Sequence, residues 1–322
     1  MDRVLYNNER WELVPDVNKR LMEQYLRNCK IEKKRPNTIN EYFNDLRFFL
    51  CWNLLYNSNM SVLDFKKKHF DEYKYFALYE RGNSNARVNR VLSAIRTMMS
   101  FAEDDDDEYE DYFRNTASKV KGLEKDPVKV IAFLSQEQID LLRDHLLENK
   151  MYKHLFLLDI LYDSGARINE IFQVNKNSTI EDGYIKVICK GGKAEYILLH
   201  DRARESLNMY LESLTPGSPF WPNKHGLPAT GTSTLRGWVG DMYLILKKLD
   251  ETAPYFTPHS FRHTMIENMC NGTHYMCKKI GRPYTLEEVQ LLVHHASTDM
   301  TSKYRKPRDY EMVFDLFGIK IS

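Results

Sequence analysis

Six side chains in the second half of this 322-residue chain form an ordered set: Arg167, Lys190, His259, Arg262, His295 and Tyr304. Their types suit one chemistry, the breaking of a phosphodiester. A planar guanidinium offers two parallel donors to phosphate oxygens and stays charged at any working pH. Imidazoles move protons near neutrality. A lysine ammonium can protonate a departing alkoxide. A phenol can attack phosphorus, but its pKa near 10 means it needs a base or a strongly positive site to ionise. Taken singly each element is weak. His259-x-x-Arg262 is a tetrad found in many unrelated chains, and for Arg167 a structural salt bridge with Glu170 is the lesser alternative. With 20 tyrosines in the chain, most must be packing residues. Tyr304 is set apart by following His295 at a short, fixed interval, whereas Tyr310 lacks that spacing.

The segments around these residues carry a family likeness. Tyr162-Asp163-Ser164-Gly165-Ala166-Arg167-Ile168-Asn169-Glu170-Ile171, the turn Lys190-Gly191-Gly192-Lys193, Thr257 to Thr264, and His295 to Tyr304 stand in an order that resembles the tyrosine recombinase (phage integrase) family. The likeness covers about residues 130–310 well, and the N-terminal helices more loosely resemble the family's core-binding domain. It implies that Arg167 and Arg262 hold the non-bridging oxygens of a scissile phosphate. It also implies that Tyr304 forms a 3′-phosphotyrosine, that His259 helps the phenol lose its proton, and that Lys190 rather than Lys193 protonates the 5′-oxygen. His295 completes the set, and Glu170 would orient its basic residues. No cofactor and no metal are expected, and strand exchange would pass through a Holliday junction. Type IB topoisomerases and hairpin telomere resolvases share much of this set, but the two-domain plan resembles recombinases more closely.

Two departures from the family pattern stand out. His294 occupies the position before His295 where glycine is usual. The interval from Arg262 to His295 is also longer than usual, with the extra residues around Cys277 to Pro283, where either a surface loop or a DNA backbone contact is expected. That stretch brings Cys270, His274 and Cys277 close in sequence, but a structural zinc site wants four ligands and no fourth is evident.

These residues must be positioned by two groups of elements. Ile39, Tyr42, Phe43, Leu46, Phe49 and Leu50 recur at intervals of three and four, the mark of one apolar helix face. Leu63 to Tyr79 is expected to form a helix carrying Lys66, Lys67 and Lys68. Val88, Val91, Leu92, Ile95, Met98 and Met99 stripe a third helix, with Arg87 and Arg90 on one flank. Ser135 and Gln138 fit a capping box that opens a helix. Leu155 to Tyr162 reads as a buried helix stopped by a left-handed Gly165. Tyr184–Cys189 and Glu195–Leu199 around Gly-Gly read as a hairpin. Pro216, Pro219, Pro222 and Pro228 mark loops, and helical patterns resume at Thr234–Lys248 and from Ser260 onward. The expected fold is mainly α with a small β-sheet (α+β). It would comprise a helical core-binding domain at 1–120, a linker at 121–133 and a catalytic domain at 134–322, making a C-shaped clamp on DNA. The apolar side of the tail Asp309–Gly318 cannot be buried by the tail alone. The likeness implies a tetramer on paired recombination sites, with that tail exchanged between protomers.

The formal charge of +1 conceals a division. Residues 1–100 hold eighteen Lys and Arg against twelve Asp and Glu, while residues 101–126 hold four against ten. Affinity for nucleic acid follows the charge on a face rather than the total, so Lys66, Lys67, Lys68, Arg87 and Arg90 become candidate DNA contacts. The run Glu103 to Glu108 reads as a solvated loop, because carboxylates on consecutive residues diverge. Five scattered cysteines suit reduced thiols. No stretch has the length or apolarity of a membrane span or a signal peptide, so a cytoplasmic protein without a membrane partner is expected.

Overall fold

The computed structural model describes residues 5–105, 107–112, 114–124, 133–178, 183–188 and 194–293. The fold is mostly helical with one small sheet. The chain divides into two units, Met1–Val128 and Lys129–Ser322.

In the first unit the helices are α1 (Asn8–Leu13), α2 (Asp16–Ile31), α3 (Pro36–Tyr56), α4 (Lys67–Tyr75) and α5 (Asn85–Glu103). The apolar stripes read from sequence are their contact faces. Leu21, Met22 and Tyr25 of α2, Leu46, Phe49 and Leu50 of α3, and Val88, Val91, Leu92, Ile95, Met98 and Met99 of α5 share one core. Phe49 lies at the centre of an aromatic group, stacked on Trp52 at 5.5 Å and edge-on to Tyr73 at 5.0 Å. Each such side chain contributes about 1.5–3 kcal/mol by leaving water.

The helix expected over Leu63–Tyr79 is three pieces. A 3-10 turn covers Val62–Asp64, α4 begins at Lys67, and Phe76–Glu80 widens into a π turn. The break has a local cause: His69 Nδ1 accepts from the Lys66 N–H at 3.0 Å, so Lys66 stands outside the helix as its cap. In the acidic run, Asp105 Oδ1 accepts from the N–H groups of Asp107 and Glu108 at 3.0 and 2.8 Å, which folds the loop onto its own carboxylate.

The second unit contains α6 (Gln136–Glu148), α7 (Tyr152–Ser164), α8 (Ile168–Ile171), β1 (Tyr184–Ile188), β2 (Ala194–Leu198), α9 (Asp201–Ser213), α10 (Ser233–Leu249), α11 (Pro258–Asn271), α12 (Tyr275–Ile280) and α13 (Leu286–Leu292). The two strands pair antiparallel, with Tyr184 opposite Leu198 and Ile188 opposite Ala194. Every residue of α7 from His154 to Ser164 is buried. A helix buried on all sides is a central post, and α6, α9, α10 and α11 pack around it. The capping box at the start of α6 is present in both directions: Gln138 N–H donates to Ser135 Oγ, and Ser135 N–H to Gln138 Oε1. The last third is interrupted rather than continuous, with Gly272 and Gly281 ending α11 and α12 in the left-handed region.

Among the described residues, no helix is long and apolar enough to cross a membrane.

Candidate active site

The site is built where α7 stops. Gly165 ends that helix at φ 58°, ψ 15°, a conformation that glycine takes without the Cβ penalty of other residues. The chain turns there and places Arg167 at the cap of α8. Glu170, one turn on, holds Arg167 twice. Its Oε2 accepts from the Arg167 N–H at 2.8 Å, and its Oε1 accepts from Nη1 at 3.1 Å. The Glu170 side chain is 7% exposed and that of Arg167 39%. A buried carboxylate therefore fixes a guanidinium that still faces solvent.

Arg262 comes from the second turn of α11 and is buried. It donates from Nη1 to the carbonyl of Gly165 and from Nη2 to the carbonyl of Val293. A single side chain thus ties together the end of α7, the start of α11 and the end of α13. His259 sits in the first turn of α11, exposed at its edge. The cap of that turn is Thr257, whose N–H donates to Ser260 Oγ at 3.0 Å. Partial desolvation, then the guanidiniums of Arg262 and Arg167, hold His259 below the usual imidazole range. A neutral imidazole can accept a proton, as a general base must. The structure therefore brings Arg167, Glu170, His259 and Arg262 together at one end of α7. Lys190, Lys193, His294, His295, Tyr304, Tyr310 and the tail lie outside the described residues.

One residue not singled out in the sequence, His263, adjoins this site, and another, Asp163, stands two residues before Gly165 in α7 and faces α9. His263 meets His259 edge-on at 4.5 Å, and its imidazole is pushed down to about 4 by burial, His259 and Arg262. Asp163 accepts from the Ala203 N–H at 3.2 Å, and its carboxyl is raised to about 8 by burial and by Asp159. The sequence signal for Asp163 was its place between Tyr162 and Ser164, on a helix whose neighbours are apolar.

The longer interval before His295 contains a short helix, α12, and from Lys278 to Pro283 the chain is exposed, leaving the helix at Gly281. Met276 and Cys277 face inward, while Lys279 pairs with Asp201 at 2.7 Å and Arg282 with Glu288 at 2.7 Å. His274 is buried with its ring tilted against that of Tyr162 at 4.4 Å, and Cys277 Sγ lies 3.5 Å from the Met269 carbonyl. In the first unit, Lys66, Lys67 and Lys68 are exposed. Arg87 and Arg90 instead converge on one carboxylate, that of Asp45.

A sequence model of the phage integrase family matches residues 132–311, more than half of the chain. The tyrosine recombinase XerC of Rickettsia bellii is 27% identical over 301 residues, covering 89% of this chain and 92% of that one. The tyrosine recombinase XerD of Staphylococcus haemolyticus is 25% identical over 296 residues, covering 88% and 92%. Among solved structures, XerH site-specific recombinase bound to a palindromic difH substrate covers 93% of this chain and 94% of its own. It has a TM-score of 0.63 at 18% identity. A lambda integrase dimer bound to a core site covers 90% and 77%, with a TM-score of 0.64 at 15% identity. At those identities the structural likeness concerns the fold.

Proposed function

The chain belongs to the phage integrase family, and from that premise we propose that it is a site-specific tyrosine recombinase, cleaving and rejoining DNA through a 3′-phosphotyrosine. The observation that carries this reading is the family match over residues 132–311, which spans every candidate catalytic residue from Arg167 to Tyr304.

In the proposed step the Tyr304 oxygen bonds to the scissile phosphorus as the bond to the 5′-oxygen breaks. The phenolic proton passes toward His259, and Lys190 gives a proton to the leaving 5′-oxygen. Arg167 and Arg262 meet the charge that builds on the non-bridging oxygens, where stabilisation raises the rate. His295 adds a further donor, and Glu170 keeps the Arg167 guanidinium in place. The phosphotyrosine conserves the energy of the broken bond. A 5′-hydroxyl of a partner strand can therefore reverse the step, and a Holliday junction follows from exchange of one strand pair. Lys66, Lys67, Lys68, Arg87 and Arg90 are proposed backbone contacts of the first unit. Double-stranded DNA with paired sites is the proposed substrate, taken by a tetramer whose tails, Asp309–Gly318, exchange between protomers.

Covalent trapping on a nicked recognition duplex tests the chemistry. The unaltered chain should form a protein–DNA adduct stable to denaturant, and Tyr304→Phe should form none. Adduct formation by Tyr304→Phe, or none by the unaltered chain on a verified site, would overturn the reading. Mixing a tail-deleted form with Tyr304→Phe tests exchange, and unchanged assembly on DNA would count against it.

A further inference from the structure

Asp45 is a carboxylate with no solvent exposure in the core of the first unit, on α3 between residues that pack it. Arg90 meets it fork to fork, Nε to Oδ2 at 2.8 Å and Nη2 to Oδ1 at 3.0 Å. Arg87 adds Nη2 to Oδ1 at 3.0 Å. Both arginines stand in the first two turns of α5, where a cation opposes the helix macrodipole and where α5 itself has no acidic residue in its first turn. Burying a carboxylate is costly, and an apolar residue of similar size often serves stability as well. Packing and helix stability thus give this arrangement no reason to exist. What it does achieve is orientation. Two long side chains, 37% and 43% exposed, are held by one buried anchor, with N–H groups remaining beyond the two hydrogen bonds of Arg90 and the ion pair of Arg87.

We propose that Asp45 is a positioning residue that fixes Arg87 and Arg90 as a paired guanidinium clamp on a backbone phosphate of duplex DNA. The inference rests on the recombinase reading and deepens it. One carboxylate shared by two guanidiniums leaves a net positive charge, and a preset fork loses less freedom on binding than free arginines do. It is the anchored counterpart of the exposed Lys66–Lys68 group.

The test uses the full chain and a fluorescein-labelled duplex of mixed sequence, because backbone contacts do not depend on sequence. Binding is measured between about 50 and 200 mM salt. If Asp45 merely neutralised its neighbours, Asp45→Asn would bind tighter, with a steeper salt dependence. The clamp predicts the opposite: affinity about tenfold weaker, the loss of a charge-assisted contact, with a shallower slope. Arg87→Lys with Arg90→Lys keeps the charge but loses the fork, and should weaken binding to a similar extent. In that background Asp45→Asn should add little. Tighter binding by Asp45→Asn, or undiminished binding by the double lysine variant, would overturn the inference while leaving the recombinase reading intact. The double lysine variant decides alone if Asp45→Asn does not fold. Absence of any duplex binding by the unaltered chain would overturn both.

Discussion

Arg167 leans on Glu170 with much of its guanidinium in solvent, whereas Arg262 is buried and donates to two main-chain carbonyls. Loss of Arg262 therefore removes a tie between three elements as well as a charge, and loss of Arg167 removes mainly the charge. Their types and spacing were legible in the sequence, but that difference was not, because it depends on where α7 and α13 end. Asp163 is the clearest case of a property that only packing creates. Its carboxyl is raised to about 8 by burial and by Asp159, with Tyr275, Ala203 and Arg202 pulling the other way, while Asp159 beside Arg143 lies at about 6. An unfolded aspartate titrates near 3.9. Between those values the folded chain holds a proton that the unfolded chain has released, so stability is lost as pH rises toward 8. Unfolded histidines titrate near 6.5, so only from about pH 7.5 to 8 are His200, His263 and His274, held low by burial, largely neutral in both states, and there Asp159 is ionised in both as well. Urea midpoints should therefore fall across that window, by at most about 1.4 kcal/mol per pH unit. Asp163→Asn, which keeps the oxygen facing Ala203, should flatten the decline. A flat profile for the unaltered chain would sink the assignment.

At the scale of elements, the joint between α7 and α8 matters most, and its punctuation was readable in advance. Gly165 and the Ser135–Gln138 box are local signals that act within a few residues. The start of α4 was not readable, because it depends on His69 turning back onto Lys66. Neither was the fold of the segment after Gly272, where Thr273 and His274 donate their N–H groups back to the Asn268 carbonyl. Gly165 meets two demands at once: a left-handed backbone, and space that a Cβ would share with Met265 Cε and Val293 Cγ1, each at 3.1 Å. Gly82 has a similar φ of 62° with nothing within 4 Å. Gly82→Ala should thus report the backbone penalty alone, about 1–2 kcal/mol. Gly165→Ala should cost more, and it should also reduce adduct formation by displacing the carbonyl that Arg262 holds. Calorimetric melting of both variants alongside covalent trapping checks this. Equal losses of stability, with trapping untouched in both, would show that the joint does not set the site.

Over the whole molecule, the question is how a chain of net charge +1 holds a polyanion. α5 shows one way. Arg87 and Arg90 lie in its first two turns, while Asp104 caps its last. At 1.5 Å per residue the two ends are separated by about 25 Å. The acidic run is partly occupied with its own turn, through Asp105, and Glu108 pairs with Arg20. The Debye length is about 10 Å at 0.1 M salt and about 30 Å at 0.01 M. The basic end should therefore act independently of the acidic end at ordinary ionic strength and feel it only in dilute buffer. Asp104→Asn with Asp107→Asn spares the Asp105 cap and tests this directly. Affinity for a mixed-sequence duplex should stay within about twofold at 0.1 M salt and rise severalfold near 0.01 M. An equal gain at both salts would mean that the acidic run lies against the DNA-binding face. In that case it would be a competitor for the phosphate sites rather than a distant counterweight to them.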